Sequence, residues 1–124
     1  MRKIVEIMLE DLSSREVFLF RVRCQACDTE YANKPIGFSK AGLIPETAER
    51  ELLYNAIYEQ EYTNARQSAI RNGAEHFNCC PVCKRVVCNR CFWICDELDM
   101  CITCAERLKE KGSPVASELL EFVI

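Results

Sequence analysis

Cysteine spacing constrains this chain more than any other feature of its sequence. Eight of its ten cysteines lie within the twenty-six residues 79–104. Four pairs have two residues between the cysteines: Cys24 with Cys27, Cys80 with Cys83, Cys88 with Cys91, and Cys101 with Cys104. Because this spacing lets a tight turn aim both thiolates at one point, the pairs predict two closed four-cysteine sites, each for one Zn²⁺ ion. We therefore expect a fold that wraps around two metals.

Length and hydropathy predict a single cytoplasmic domain, residues 1–124. A chain of 124 residues has the length of one ordinary domain. It contains no run of about eighteen apolar residues, and its start lacks the pattern of a secretory signal, so we expect neither membrane association nor export. In the reducing cytoplasm, paired cysteines more often hold metal than form disulfides.

The charge balance favours a protein partner over nucleic acid. Sixteen basic and nineteen acidic residues give a formal net charge of −3, and two zinc–thiolate centres would lower it to about −7. Nucleic-acid-binding modules usually carry an excess of Lys and Arg instead. The basic residues near the cysteine pairs are Arg21, Arg23, Lys84, Arg85 and Arg90. They could form a phosphate-binding patch, but we favour the interpretation that they offset the negative charge of the metal centres.

The N-terminal segment 1–44 is predicted to be a small β-hairpin or sheet that carries the first zinc knuckle. Branched apolar residues at 3–10 predict one strand, and the alternation of side chains over 16–23 predicts a second. The second strand runs directly into the Cys24–Cys27 pair, and residues 31–36 can return beside it.

A long helix is predicted for the segment 45–76. Pro45 suits a first helical turn, and the chain then lacks glycine and proline until its last turn. Tyr54, Tyr58 and Tyr62 recur every four residues and form one stripe. We expect this stripe to pack on the strands; the alternative is a face that binds a partner.

Three further residues have the chemistry of ligands but lie outside the four pairs. His76 could replace a thiolate, although eight paired cysteines are sufficient and a role at the helix end is favoured. Cys79 and Cys95 are expected to pack as small apolar side chains. A redox dithiol formed by these two cysteines is the alternative.

The segment 77–112 is predicted to be a compact zinc cluster. The residues KRVV after Cys83 and FWIC after Cys91 can form the two arms of a short hairpin. Good helix formers follow Cys104, so Cys101 and Cys104 are expected at the start of a helix that stops near residue 112.

Two ways of sharing the metals remain open. In an interleaved order, Cys24, Cys27, Cys88 and Cys91 form site 1, and Cys80, Cys83, Cys101 and Cys104 form site 2. In a consecutive order, the first pair joins the second and the third joins the fourth, which leaves only residues 84–87 between two metals. We favour the interleaved order because it explains the distant first pair, whose metal would attach the N-terminal strands to the cluster.

The order of a knuckle, a hairpin and a helix resembles a treble-clef zinc finger. The spacing Cys80-x2-Cys83-x4-Cys88-x2-Cys91, followed by Cys101-x2-Cys104, is similar to the cross-brace fingers of the FYVE and RING type. With the N-terminal sheet and the long helix, this resemblance implies an α+β fold with a treble-clef, two-zinc cross-brace module. The chain lacks the basic double-histidine motif of FYVE domains and the histidine ligand of RING domains. Phosphoinositide binding and ubiquitin-ligase activity are therefore not implied.

The C-terminal segment 113–124 is predicted to dock on the rest of the molecule. It begins after Gly112 and ends in the apolar residues FVI. A short helix and a strand added to the N-terminal sheet are both compatible with its composition.

No pattern of catalytic residues or phosphate-binding glycine loop is recognisable, so we expect a protein that is not an enzyme. The closed zinc sites favour a zinc-binding adaptor whose partner is another protein, with the tyrosine stripe or the acidic residues Asp96, Glu97 and Asp99 as the binding region. One alternative is a nucleic-acid-binding zinc finger that stacks bases on Phe92 and Trp93. The other is a thiol or zinc redox switch.

Overall fold

A computed structural model describes residues 2–116 of the chain. These residues form three helices and ten short strands. In chain order the elements are α1 (Arg2–Met8), β1 (Glu10–Asp11), β2 (Val17–Phe18), β3 (Phe20–Arg23), β4 (Glu30–Ala32), β5 (Ile36–Gly37), α2 (Ala48–Ala74), β6 (Phe77–Cys79), β7 (Val86–Cys88), β8 (Phe92–Cys95), β9 (Met100–Cys101), α3 (Ile102–Arg107) and β10 (Gly112–Pro114). The predicted mixture of small sheets and one long helix is confirmed.

The strands form four small antiparallel sheets. The N-terminal half contains the three-stranded sheet β1-β3-β4 and the pair β2-β5. The cysteine-rich half contains the pair β6-β7 and the three-stranded sheet β10-β8-β9. Strand β3 runs directly into Cys24, as predicted, so the first cysteine pair lies immediately after a strand of the N-terminal sheet.

The predicted strand over 3–10 is wrong, because most of that stretch forms α1 (Arg2–Met8). Helical geometry lets Val5 point inward, where it is completely buried, while Ile7 stays 80% exposed. Gly73 of α2 permits this packing, since a Cβ atom there would lie 3.1 Å from the Val5 side chain. The contact with α2 thus overrides the strand preference of the branched residues.

Helix α2 (Ala48–Ala74) is the long helix that the sequence predicts, and it begins three residues after Pro45. The start is set by Thr47, whose side chain accepts a hydrogen bond from the Arg50 N–H at 3.1 Å. This bond satisfies one of the free amide groups of the first turn. The helix lies against both α1 and the strands of the N-terminal half.

Aromatic side chains join α2 to β2 and β3. The Tyr58 ring lies 5.3 Å from that of Phe18 and 5.1 Å from that of Phe38, and Tyr62 lies 5.6 Å from Phe20, centroid to centroid. Phe18, Phe20 and Phe38 are buried beneath them. The prediction that the tyrosine stripe packs on the strands is confirmed.

A second core surrounds the cysteines, and its strand pairing differs from the predicted hairpin. Strand β7 pairs with β6, and β8 pairs with β9 and β10, so the KRVV and FWIC segments are not paired with each other. The tight turn between β7 and β8 carries Cys88 and Cys91, whose sulfurs lie within 4.8 Å of each other. Phe77 of β6 is buried in the space beside β7.

The start of the predicted docking segment 113–124 lies in β10, which joins the sheet of β8 rather than the N-terminal sheet. After β10, the Val115 N–H donates to the Phe92 carbonyl and the Ala116 N–H donates to the Asn89 carbonyl. The remainder, residues 117–124, is outside the described part of the chain.

Candidate metal centres

The structure brings the eight paired cysteines into two groups in the interleaved order. Within residues 2–116, one group is Cys24, Cys27, Cys88 and Cys91, and the other is Cys80, Cys83, Cys101 and Cys104. The Sγ atoms of each group all lie within 4.8 Å of one another. The cysteines that we assigned to site 1 and to site 2 are therefore neighbours in space, whereas their ligation of a metal stays a prediction.

The distances within the groups fit a tetrahedral metal site. Four sulfurs at the zinc–sulfur distance would be about 3.8 Å apart. The Cys27 and Cys88 Sγ atoms are 3.7 Å apart, those of Cys83 and Cys101 are also 3.7 Å apart, and the Cys80–Cys104 distance is 3.9 Å. Each group could thus hold one ion of this size through four thiolates, with little rearrangement of the chain.

The two groups are built on matching knuckles. In the first, the Cys24 N–H donates to the Thr29 carbonyl and the Asp28 N–H donates to the Cys24 carbonyl. In the second, the Cys80 N–H donates to the Arg85 carbonyl and the Lys84 N–H donates to the Cys80 carbonyl. Asp28 and Lys84, each directly after the second cysteine, have positive φ angles of 62° and 67°. This left-handed residue turns the chain sharply after each pair.

Backbone amide groups point at the first sulfur of each knuckle. The Cys24 Sγ atom accepts hydrogen bonds from Cys88 N–H at 3.3 Å, from Ala26 N–H at 3.3 Å and from Cys27 N–H at 3.4 Å. The Cys80 Sγ atom correspondingly accepts from Cys101 N–H at 3.4 Å. Donors around a sulfur favour its thiolate form, which is the form that binds metal.

The remaining cysteines lie on a turn and at a helix start. Cys88 ends β7, and the Cys91 N–H donates to the Cys88 carbonyl at 3.0 Å in a tight turn. Cys101 is the N-cap residue of α3 (Ile102–Arg107), and Cys104 lies in its first turn. This confirms the predicted position of the last pair at the start of a helix. The predicted end of the helix near residue 112 is wrong, because α3 ends at Arg107 and Gly112 lies in β10.

The thiols of each group influence one another's ionisation. A hydrogen bond from the Cys88 thiol, together with the surrounding amides, lowers the pKa of Cys24 to about 4, and the pKa of Cys88 is raised in return. Burial raises the pKa of Cys91 to about 12. Four thiolates so close together repel one another, so a bound cation is required for all of them to be ionised at neutral pH.

The second group likewise contains thiols with lowered pKa values and a thiol with a raised pKa. Burial opposes ionisation of Cys83, but hydrogen bonds from the Arg85 amide and guanidinium lower its pKa to about 6. Burial raises the pKa of Cys104 to about 12, and the neighbouring Cys101 contributes to the rise. The pKa values of Cys27 and Cys80 are lowered as well, so each group combines two thiols that ionise readily with at least one whose pKa is raised and that needs a cation to ionise.

Three guanidinium groups lie beside the sulfurs. Arg90 is 3.7 Å from the Cys27 Sγ atom, and Arg85 is 3.6 Å from that of Cys101. Arg107, which the sequence did not single out, is 3.7 Å from the Cys104 Sγ atom. Its position three residues after Cys104 on a helix is the signal that could have identified it. These contacts agree with the interpretation that nearby arginines offset the charge of the centres.

Arg21 and Arg23 have other partners. Both guanidinium groups bind Glu30, and Arg21 also binds Glu10 at 2.6 Å, across the sheet β1-β3-β4. These two arginines therefore do not form an open basic patch with the first cysteine pair.

The side chains of His76, Cys79 and Cys95 belong to neither group. His76 stacks on Tyr31, with the ring centroids 4.2 Å apart, and its Nδ1 atom lies 3.0 Å from the Asn72 carbonyl oxygen at the end of α2. Cys79 and Cys95 are partly buried free thiols, and Cys95 packs against the hydrophobic core, as the packing interpretation predicts for it. Cys79 contacts the Lys84 carbonyl and Cys95 the Trp93 carbonyl.

Comparisons with protein-family models, with curated proteins and with solved structures gave no match. Among the described residues, none of the helices combines the length and the apolar character that crossing a lipid bilayer requires.

Proposed function

We propose that this chain is a non-enzymatic, cytoplasmic zinc-binding adaptor in which two four-cysteine sites hold structural Zn²⁺. The observation that carries the proposal is the closure of both groups, in which four sulfurs face one point. A catalytic zinc site normally keeps one position open for water, and here four thiolates would fill the coordination sphere. Four sulfurs in tetrahedral spacing suit zinc, and also iron, so the metal must be identified by experiment.

We also propose that residues 77–112 form a treble-clef module. It is supported by the Cys80–Cys83 knuckle and by the last two cysteines at the start of α3. Strand β7 pairs with β6 instead of β8, so the central hairpin differs from that arrangement. The resemblance to cross-brace fingers supports the fold of this segment and assigns no activity to it.

Cobalt substitution tests the metal assignment. Co²⁺ added to the reduced, metal-free chain should give intense sulfur-to-cobalt charge-transfer bands and the visible bands of tetrahedral cobalt, saturating at two equivalents. The serine double variant at Cys24 and Cys27 should saturate at one. Saturation at one equivalent in the unsubstituted chain, the spectrum of six-coordinate cobalt, or iron in the purified protein would contradict the proposal.

An apolar groove at the start of α2 supports the adaptor role. It encloses about 360 Å³, and it is lined by Lys40, Leu43, Ile44, Pro45, Glu46, Arg50, Leu53, Tyr54 and Ile57. Ile44 is 86% exposed and Leu43 is 59% exposed. Exposed apolar side chains that cluster in this way are a candidate surface for a protein partner. Tyr58 and Tyr62 are packed against β2 and β3, whereas Tyr54 lines the groove. The groove therefore replaces the whole stripe as the favoured binding region, and the acidic residues near Asp96 remain a second surface.

A matched pair of leucine substitutions tests the groove. Leu53 and Leu108 are equally exposed, at 49% and 50%, but only Leu53 lines the groove. A protein that copurifies with the intact chain should be lost with Leu53→Glu and retained with Leu108→Glu. Equal binding by both variants would exclude the groove as the interaction site.

The nucleic-acid alternative loses support from the positions of the arginines. Arg21 and Arg23 are paired with carboxylates, and Arg85 and Arg90 face cysteine sulfurs. Four of the five basic residues near the cysteine pairs are thus already engaged, which leaves the exposed Lys84 of that set and less positive charge for phosphate contacts. A gel-shift experiment with single-stranded oligonucleotides at low salt should show no complex.

A further inference from the structure

Arg85 is placed between the two cysteine groups. Its Nη1 atom donates to the carbonyl oxygen of Gln25 at 3.2 Å, and its Nη2 atom lies 3.6 Å from the Cys101 Sγ atom. Gln25 lies between Cys24 and Cys27 in the first knuckle, whereas Cys101 belongs to the second group. One guanidinium group therefore contacts both the backbone of the first knuckle and a sulfur of the second group.

The first knuckle is also attached to the strand that follows the second knuckle. The Gln25 N–H donates to the Val86 carbonyl at 2.9 Å, and the Val86 N–H donates to the Gln25 side-chain Oε1 atom at 2.7 Å. Val86 is almost fully buried. Its neighbour Arg85 accepts the Cys80 N–H at 2.9 Å, and β7 then continues to Cys88. The four consecutive residues 85–88 thus contact the first knuckle and the second group, and they end in Cys88, a member of the first group.

A second connection runs on the other side. The Ile102 N–H donates to the Cys91 carbonyl at 2.8 Å. Ile102 lies between the two cysteines that α3 supplies to the second group, and Cys91 belongs to the first group. Any movement of one centre therefore displaces backbone that positions the other.

The other two arginines contact one group each. Arg90 lies beside Cys27 and Thr29, both in the first knuckle. Arg107 lies beside one sulfur, that of Cys104 in the second group. These two residues supply similar charge without a link between the centres, which makes them matched controls for Arg85.

We infer that metal binding at the two cysteine groups is positively cooperative and that Arg85 is the residue that couples them. The inference rests on the proposed zinc-binding function. A metal in the first group fixes the knuckle and holds the Gln25 carbonyl in place, which orients the guanidinium group toward Cys101. By reciprocity, a metal in the second group orders residues 85–88 and so positions Val86 and Cys88 for the first group.

Native mass spectrometry at one equivalent of Zn²⁺ per chain measures this coupling. The serine double variants Cys24→Ser/Cys27→Ser and Cys101→Ser/Cys104→Ser leave one group each and give the two separate affinities. Those affinities predict how much singly loaded protein independent sites would produce. For equal sites, a coupling of about tenfold lowers the singly loaded fraction from about one half to about one quarter. We expect the intact chain to lie clearly below the independent value.

The arginine variants locate the coupling. Arg85→Gln should raise the singly loaded fraction clearly toward the value for independent sites; the backbone bonds of Gln25 with Val86 and of Ile102 with Cys91 remain, so part of the coupling is retained. Arg85→Lys keeps the charge but cannot reach Gln25 and Cys101 together, so it should raise the singly loaded fraction as Arg85→Gln does. Because the charge remains, it should weaken zinc binding by the second group less than Arg85→Gln. Arg90→Gln and Arg107→Gln should each weaken one group and leave the cooperativity intact.

The outcomes separate this inference from the proposed function. Two zinc ions that bind independently in the intact chain would overturn the coupling and leave the zinc sites in place. Cooperativity of unchanged size in both Arg85→Gln and Arg85→Lys, or its loss in Arg90→Gln, would remove Arg85 from the role. Failure of every chain to bind zinc would overturn the proposed function and the inference together.

Discussion

Gly112 lies so close to β8 that no larger residue fits there. A Cβ atom at this position would lie 2.5 Å from the Ile94 carbonyl oxygen and 2.8 Å from the Cys95 Sγ atom. We expect Gly112→Ala to lower the free energy of unfolding of the zinc-loaded protein by about 1–3 kcal/mol, because backbone atoms must move apart. Urea denaturation measures the change.

Gly37 provides the matched control for Gly112. It also lies in a strand, but a Cβ atom there would have no neighbour within 4 Å. Gly37→Ala should leave the stability unchanged or raise it by up to about 1 kcal/mol, since alanine restricts the unfolded chain. Equal losses in both variants would show that the contact at Gly112 is not the cause.

The Tyr62–Asp11 hydrogen bond gives the fold a dependence on alkaline pH. The Tyr62 hydroxyl donates to the Asp11 Oδ2 atom at 2.6 Å, and this bond raises the pKa of Tyr62 from 10 to about 12. A pKa that is higher in the folded state stabilises the fold below the unfolded value, and the contribution is lost as the pH rises through the folded value. Wild-type stability should therefore fall between about pH 10 and 12 more steeply than that of Asp11→Asn.

Tyrosinate absorbance checks the same bond directly. In Asp11→Asn the pKa of Tyr62 should fall toward its ordinary value, because the charged acceptor is gone. Tyr31 is an internal control, since burial raises its pKa to about 12 without any contribution from Asp11. An unchanged titration curve in the variant would contradict the account.

Single residues differ in how far the sequence predicts their role. Cysteine spacing left two ways to close two sites, and the favoured interleaved order is the one in which Cys24 and Cys27 lie beside Cys88 and Cys91. The contact of Arg85 with Gln25 was not predictable, since it depends on how the first knuckle packs on β7. A local sequence pattern carries no information about packing between segments so far apart in the chain.

At the scale of elements, α2 is predicted well and α1 is not. The long helix has the composition, length and tyrosine spacing that suit only a helix. In α1, branched residues favour a strand, but seven residues are too few for a clear period. Its helical form depends on the fit of Val5 against Gly73, a contact about seventy residues away in the chain.

The start of α2 depends on its cap. Thr47→Ala removes the side-chain acceptor of the Arg50 N–H and should lower the free energy of unfolding by about 1 kcal/mol. Thr63→Ala, at an exposed position inside the same helix, should instead be neutral or slightly stabilising, because alanine is the better helix former. Thermal unfolding of the two variants distinguishes the cap from a general effect of removing threonine. Similar melting temperatures for both would contradict the capping role.

Over the whole molecule, the cysteine groups join parts of the chain that local interactions leave separate. The sheets have two or three short strands each, which alone are marginally stable. The first group connects residues more than sixty positions apart, so its metal would attach the N-terminal strands to the C-terminal cluster. Structural zinc contributes about 10–16 kcal/mol of apparent binding free energy to folding in small zinc modules. We therefore expect metal removal to unfold much more than the two knuckles.

Native mass spectrometry of the reduced chain tests this claim most directly, because one spectrum reports both metal content and compactness. The account predicts the mass of one chain with two zinc ions in a narrow distribution of low charge states. After treatment with a strong chelator, it predicts the metal-free mass in a broad distribution of high charge states, as an unfolded chain gives. A narrow, low-charge distribution at the metal-free mass would show that the chain folds without metal and would contradict the account.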